Sequence, residues 1–483
     1  MIALRHAAFV PTLIASLATG AAAQTPPPDA SLSARVEASL RETARAATLP
    51  GIKWPRFPDY RAELTSLYDA SAWQPIWTTA GHPTPAARAA IDVLKSADDR
   101  ALHPADYDAE LLERRFAELS TAASPGANDL AWFDAALSVA LLRHLSDVHV
   151  GRVNPRTLGV GISVEPKKRL GLASLVRDAA LTGRARELVQ VIEPKFAQYR
   201  NLLAAYAHYR TFPDSARRAR KLELAIERIR WLPLLDDGPF IVVNVPGFQL
   251  YGFDSIGGTG APSIEMNVVV GKAGAGRTTP IFEDRMEYIV FRPYWVIPRS
   301  ILRNEILPAT RRNASYLARN GMELYQGDGD AGPGLPATAA NLARVARGTL
   351  GIRQKPGPRN SLGLAKFIFP NDHNVYLHGT PAHELFSLAR RDFSHGCIRV
   401  EDPAALAVWI FRDSTQWSRP QVEAAMNGAP SRRVNLARRI PVVIYYTTAA
   451  VRPATGAVEF YDDVYGHDAR LERALAKGYP FGS

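Results

Sequence analysis

The chain has 483 residues, 47% of them hydrophobic and 22% charged. That size accommodates about two or three domains with a substantial core, and the composition excludes wholesale disorder. The formal charge of +11 suits an anionic partner such as acidic lipid or a cell-wall polymer, or a generally Arg-rich surface, because the basic residues are spread along the chain.

Residues 1–23 read as a secretory signal peptide: Arg5, an apolar run over 7–17, then Ala21, Ala22 and Ala23 at a small-residue cleavage site. The run is shorter than the about 20 residues needed to span a bilayer, so cleavage is expected over an uncleaved anchor. No later segment is long and apolar enough to cross. The expected location is the periplasm, with no transmembrane segment after cleavage, and export sets nucleic acid aside as a partner. Residues 24–59 are expected to form a linker, marked by Pro26, Pro27 and Pro28, and a helix with Leu32, Val36 and Leu40 on one face.

Residues 60–236 are predicted to form a helical scaffold domain without a clear repeat. Its best segments are 85–97 and 130–148, the latter striped with Leu137, Leu141, Leu142 and Leu145. A basic helix is predicted from Asp214, as N-cap, to Trp231, stopped by Pro233. The texture then turns to β-branched and aromatic residues. Strands are expected over 240–245, 248–251, 265–270, 288–292, 366–369, 375–377 and 440–446, within a β-rich domain spanning 237–450. A long excursion over 298–360 begins with a helical stretch. It then passes through the Gly-rich run at 327–334, which excludes regular structure, and it is expected to be a lid. Residues 451–483 form a C-terminal extension. The fold class is therefore α+β: a helical scaffold domain followed by a β-rich domain with a lid insertion.

Cys397 is the only cysteine. Exported proteins usually employ cysteines in pairs, so a solitary thiol calls for a reason. One is a small buried hydrophobe. The other is a nucleophile, which needs a neighbouring base or positive charge to favour the thiolate. His395, two residues before the thiol, and His378, at the end of a predicted strand, can both act as that base. Gly396 permits close substrate approach and can free backbone N–H groups for a developing oxyanion.

His378, fifteen residues, then Ser394, His395, Gly396 and Cys397 resemble the motif of L,D-transpeptidases with a YkuD-type catalytic domain. The segments 291–298, 304–308, 356–360 and 369–371 resemble the YcbB-like branch, and 73–107 resembles its helical scaffold. The resemblance implies that His378 is the general base for Cys397 and is oriented by the Gly379 carbonyl. It also implies that His395, Gly396 and Cys397 line an oxyanion hole, with His395 shaping the substrate site. Ser394 completes the motif and Tyr376 could face the site, although strand aromatics, Tyr294 and Trp295 among them, are more often core. Arg399 stands where many relatives have Asn. It could pair with a stem-peptide carboxylate or pin the loop after Cys397.

The implied reaction is two-step acyl transfer between peptidoglycan stem peptides, donor and acceptor, through a cysteine thioester, without metal or organic cofactor. Carbapenems would acylate the same thiol. The branch commonly carries a peptidoglycan-binding domain for which this chain has no room. That departure points slightly toward 1-3 cross-links with an L-alanine donor over 3-3 cross-links with a diaminopimelate donor. Three alternatives stand beside this reading: hydrolysis of the same thioester by an L,D-carboxypeptidase or amidase, a non-catalytic wall-binding protein, and a zinc site built from His373, His378, His383 and His395. Asp392 and Glu401 flank the motif and could tune its histidines or simply be solvated.

Overall fold

A computed structural model describes residues 31–479 except 259, 275, 331, 429 and 453. The expected signal peptide and most of the Pro-rich linker lie outside the described residues.

The N-terminal half is helical. α1 (Leu32–Ala46) starts at Ser31, whose side chain accepts from the Ala34 N–H. α2 (Arg61–Ala70) is followed by a short hairpin, β1 (Thr78–Thr79) and β2 (His82–Pro83). α3 (Pro85–Lys95) is capped by Thr84, with Pro at its first position where no N–H is needed. α4 (Ala109–Thr121) leads to α5 (Ala127–Val150), the 24-residue axis of the domain. Leu137, Leu141, Leu142 and Leu145 of α5 are all buried. Each such leucine contributes about 1.5–3 kcal/mol of burial. One α5 carboxylate is also internal: Asp134 accepts from the backbone of Ile76 (3.1 Å) and Trp77 (2.8 Å) and from Tyr68 Oη (2.9 Å), tying the hairpin to the axis. α6 (Leu172–Thr182), α7 (Ala185–Ile192) and α8 (Ala197–Tyr209) complete this half. Val36, Leu40 and Ala44 of α1 belong to the same core as α5.

The basic helix, α9 (Ala216–Ile229), differs from expectation at its start. Asp214 is not its N-cap. Pro213 initiates a single 3-10 turn over Pro213–Ser215 that contains Asp214, and no side chain caps the helix behind it. Its buried Glu227 accepts from the Arg152 and Val153 backbone N–H groups, the latter at 3.0 Å, and Arg228 pairs with Asp468 at 2.6 Å. α9 thus links the helical half to the C-terminus. Residues 206–237 are occupied by the end of α8, α9 and short connections.

Beyond it, β3 (Phe240–Asn244), β4 (Gln249–Phe253), β5 (Ile264–Gly271) and β6 (Phe282–Phe291) follow. β7 (Trp295–Val296), β8 (Met322–Tyr325) and β9 (Gly351–Gln354) form a separate three-stranded sheet. β10 (Ala365–Ile368), β11 (Leu377–His378), β12 (Asp392–Ser394), β13 (Ile398–Val400) and β14 (Arg432–Tyr445) return to the main sheet. Its order is β12-β5-β13-β11-β10-β6-β14-β3-β4, and β4 pairs in turn with β5, so the series closes on itself. Closure leaves the inward faces of β3, β5, β6 and β14 as one apolar core, with Val243, Val268, Ile289 and Ile444 at zero exposure. β6 and β14 are longer than expected because each pairs over most of its length, across an irregularity between Asn435 and Ile440. β12 and β13 were not among the expected strands. α14 (Pro403–Ile410) and α15 (Arg419–Asn427) pack against this core.

The excursion over 298–360 is a folded subdomain with a core of its own, made by Ile301, Leu302, Ile306, Leu317, Leu324 and Ile352 among others. It contains α10 (Arg299–Ile301), a π-helical turn over Leu302–Ile306, α11 (Leu307–Arg312), α12 (Tyr316–Arg319), α13 (Ala339–Ala346) and the small sheet. The Gly-rich run is irregular, as expected, yet it is held. Arg353, 1% exposed, donates to Gly329 O (3.0 Å) and Gly332 O (2.7 Å) and pairs with Glu323 at 2.8 Å.

The C-terminal residues are integrated. β15 (Ala449–Val451) pairs with β16 (Val458–Phe460), and α16 (His467–Ala476) buries Leu471 and Ala474 in the core of the closed sheet. Tyr479 returns to the scaffold, with its ring centroid 6.1 Å from that of Tyr60. Among the described residues no helix is long and apolar enough to cross a membrane.

Candidate active site

Register alone brings the expected residues together. In β11, His378 stands opposite Lys366 of β10 on one side and opposite Arg399 of β13 on the other. Directly paired residues share a face of a sheet, so Lys366, His378 and Arg399 form one row across three strands. Tyr376 and Cys397 each lie two residues back along their strands and continue that face. The Ile398 N–H donates to Tyr376 O at 3.1 Å, fixing the thiol beside the tyrosine. The ring of Tyr376 lies 5.7 Å from that of His378, and Lys366 Nζ sits 4.3 Å from its centroid.

His378 is buried, and its Nδ1–H donates to Gly379 O at 2.6 Å. This bond fixes the tautomer with Nε2 unprotonated, and Nε2 has no hydrogen-bond partner among the described residues. Burial, reinforced by Arg399 and Lys366, lowers its pKa to about 3. Burial first, with the two flanking cations behind it, therefore keeps His378 neutral. They are themselves pushed down by burial, and among the described residues neither has a carboxylate in ion-pair contact and Arg399 Nε, buried, has no hydrogen-bond partner. Gly379 is tightly backed: Gly363, at φ +63°, lies so close that an added Cβ would meet Gly379 C at 2.6 Å.

Cys397 is half-buried, and its thiol approaches Asn374 O at 3.7 Å. Burial raises the thiol, opposed by the backbone and hydroxyl of Tyr376 and by Lys366 and Arg399. The resting site is thus a neutral thiol near a neutral imidazole, set on a cationic floor.

The turn before the thiol is held from below. Gly396 adopts φ +122°, a conformation that favours glycine. Ser394 Oγ accepts from the Gly396 N–H (3.1 Å) and donates to Cys397 O (2.5 Å). Thr279, 1% exposed, donates through Oγ1 to Gly396 O and accepts from the Gly271 N–H, both at 2.8 Å. Because C=O and N–H of a trans peptide point in opposite directions, anchoring Gly396 O inward turns the Cys397 N–H outward. That N–H has no partner among the described residues, whereas the Gly396 N–H is taken by Ser394.

His395 is exposed, and its Nε2 meets Glu305 Oε1 of the 298–360 subdomain at 2.8 Å. Arg277 Nη2 lies 3.6 Å from the same oxygen. Asp392 is engaged by Arg390 (2.6 Å), and Glu401 Oε2 accepts from the Asn267 N–H (3.0 Å), so both flanking carboxylates serve the local strands. Sequence reasoning assigned no role to Lys366, Thr279, Arg277 or Glu305. Glu305 falls in the family-like segment 304–308, and the others reach the site through strand register or loop contacts. His373 packs on Phe282 with centroids 4.8 Å apart, and His383 lies in a 3-10 turn. Among the described residues no group of three His, Cys, Asp or Glu side chains is gathered as a metal site would require.

The chain thus joins a helical half to a closed strand series with a thiol and a histidine on one face, beside the subdomain over 298–360. Residues 238–420 match the L,D-transpeptidase catalytic domain (YkuD), and residues 62–205 match the Scaffold domain. The chain therefore carries a YkuD-type L,D-transpeptidase catalytic domain joined to a Scaffold domain. It is also similar to a protein of Haemophilus influenzae provisionally named an L,D-transpeptidase, with 26% identity over 255 residues. That match covers 53% of this chain and 49% of the relative, so the chain spans about half the length of the curated relative it matches.

Proposed function

We propose that this protein is a periplasmic peptidoglycan L,D-transpeptidase that cross-links stem peptides through a thioester on Cys397. The observation that carries the reading is the single sheet face holding Cys397, a neutral His378 with Nε2 free, and the outward Cys397 N–H. A donor stem enters with its amide carbonyl at the Cys397 N–H, where the developing oxyanion is stabilised. Sγ–H gives its proton to His378 Nε2, the S–C bond forms, and the amide C–N bond breaks as His378 returns that proton to the leaving amine. An acceptor amine then attacks the thioester. The new N–C bond forms, the C–S bond breaks, and the amine's proton passes through His378 to the sulfur.

The floor cations have a part in timing. A donor carboxylate paired with Lys366 or Arg399 offsets the charge that holds His378 down, raising the basicity of the imidazole when substrate is in place. Tyr376 and Gly379 orient the two reacting groups, and Ser394 and Gly396 shape the turn. The reading requires no metal or cofactor. The residues between the two matched domains leave no room for a wall-binding domain, which supports a lean toward L-alanine donors and 1-3 cross-links, with recognition by the scaffold, the lid and the basic surface. Carbapenems are expected to acylate Cys397.

The test is incubation of mature protein with purified muropeptides, comparing wild type with Cys397→Ala by mass spectrometry. Dimers made only by wild type support the proposal, and fragmentation identifies the donor residue. Shortened monomers without dimers would replace cross-linking by hydrolysis, and full activity in the variant would remove the thiol mechanism.

A further inference from the structure

We infer that Glu305 and Arg277 form the site that reads the acceptor, recognising the amine-plus-carboxylate head group of an amino acid as it approaches the thioester. The inference rests on the acyl-transfer reading above and adds the residues that read the acceptor. The floor beneath the thiol is cationic, with Lys366 and Arg399, and by itself would repel a protonated amine. Glu305 places a carboxylate beside His395, where an ammonium can dock. Glu305 is carried on the lid's π-helical turn between Leu302 and Ile306, both buried in the lid core, so its placement is fixed. Such turns are frequent at functional sites.

Its contacts leave capacity to bind. Glu305 Oε1 holds His395 Nε2 at 2.8 Å and lies 3.6 Å from Arg277 Nη2, while Oε2 has no partner among the described residues. The Glu305, Arg277 and His395 side chains are 42%, 45% and 37% exposed, so all three remain accessible. The Glu305–Arg277 pair is long and wet, and such a pair holds itself together only weakly. A carboxylate and a guanidinium side by side match, with opposite sign, an ammonium beside a carboxylate. The ammonium docks on Glu305 Oε2 and the neighbouring carboxylate on Arg277, which suits its planar fork. To attack, the ammonium loses one proton to His395, which releases it to solvent, and Glu305 stabilises the imidazolium formed in between. The free amine then closes on the thioester carbon, and its second proton follows the His378 route to sulfur.

The inference is tested with the Cys397 thioester formed by a donor muropeptide, whose appearance by intact mass checks the parent reading before any acceptor is added. Three nucleophiles are then compared: meso-diaminopimelate, 1,5-diaminopentane and hydroxylamine, the last uncharged at neutral pH. In Glu305→Gln, use of the two ammonium compounds should fall about tenfold relative to hydroxylamine, with Glu305→Asp recovering part of the loss. In Arg277→Gln, diaminopimelate alone should fall, because diaminopentane has no carboxylate. An equal loss for all three nucleophiles would assign Glu305 to holding the lid and overturn the inference. Binding of a diaminopimelate-containing tripeptide to Cys397→Ala, measured by calorimetry, needs no turnover. Affinity unchanged by adding Glu305→Gln would overturn the inference even where the acyl-transfer reading stands, and a roughly tenfold weakening supports it.

Discussion

Replacing Thr279 by valine keeps the shape of the side chain and removes only its hydroxyl. That hydroxyl, in a residue 1% exposed, makes two hydrogen bonds of 2.8 Å, one to Gly396 O and one from the Gly271 N–H. The variant opens no cavity, so the cost is that of two backbone groups left without a partner. At about 1–3 kcal/mol for each buried orphan, the loss is roughly 2–6 kcal/mol. For a domain of this size each kcal/mol lowers Tm by about 2–4 °C. The Gly396–Cys397 peptide also loses its inward anchor, so the Cys397 N–H no longer has a fixed direction. Thermal unfolding should record a drop of at least several degrees, and thioester formation followed by intact mass should slow by at least about tenfold, a scale typical of losing one oxyanion donor. Thr278→Val, at the exposed neighbouring position, serves as control and should change neither. A Thr279→Val protein with lower Tm but normal acylation would refute the assignment of the Cys397 N–H. One with unchanged Tm would refute the anchoring itself.

Three further outcomes follow from other parts of the fold. Gly363→Ala places a Cβ 2.5 Å from Thr380 N at φ +63° and pushes on the carbonyl that orients His378. It should lower Tm and slow acylation about tenfold, whereas Gly321→Ala, at φ +60° in open space, should cost only about 1 kcal/mol of backbone strain; equal behaviour of the two would refute the packing argument. Arg353→Met removes the guanidinium that holds the Gly-rich run, so limited proteolysis within 327–334 should accelerate at least about tenfold while the catalytic core keeps its Tm. His144 is buried with neither ring nitrogen partnered among the described residues, and burial together with Arg100 and Arg230 lowers its pKa to about 3. Below the ordinary histidine value of 6.5 the unfolded chain takes up a proton that folded His144 refuses, so its contribution to stability falls as pH falls toward about 3. His144→Phe should therefore gain on wild type by about 1.4 kcal/mol per pH unit between pH 6 and 4, read from urea midpoints; parallel pH dependences would exclude this role.

The candidate motif could be read in the sequence because it is local: His378, Ser394, His395, Gly396 and Cys397 lie within twenty residues. The helical scaffold was legible from stripes such as Leu137, Leu141, Leu142 and Leu145, whose spacing needs no tertiary information. The lid's architecture was not, because β7, β8 and β9 are two to four residues long and pair across Trp295, Met322 and Gln354, distant in sequence. Short strands of this kind give no periodic signal. Asp214 misled because an acidic residue before a helix resembles a cap, while Pro213 had already committed that stretch to a 3-10 turn. Lys366, Thr279 and Glu305 join the site through a strand register, a buried hydroxyl and a contact 90 residues away in the chain. None of these leaves a local mark in the sequence.

The central claim is that a stem-peptide carbonyl becomes attached to Cys397 and is then transferred to an amine. Its most direct measurement is intact mass spectrometry of the protein during turnover of a donor muropeptide, with peptide mapping of the adduct. The account predicts a mass gain equal to the donor minus its leaving residue, located on Cys397, absent from Cys397→Ala, and discharged into a cross-linked dimer when acceptor is added. Turnover without such an adduct, or an adduct that acceptor amine never discharges, would contradict it.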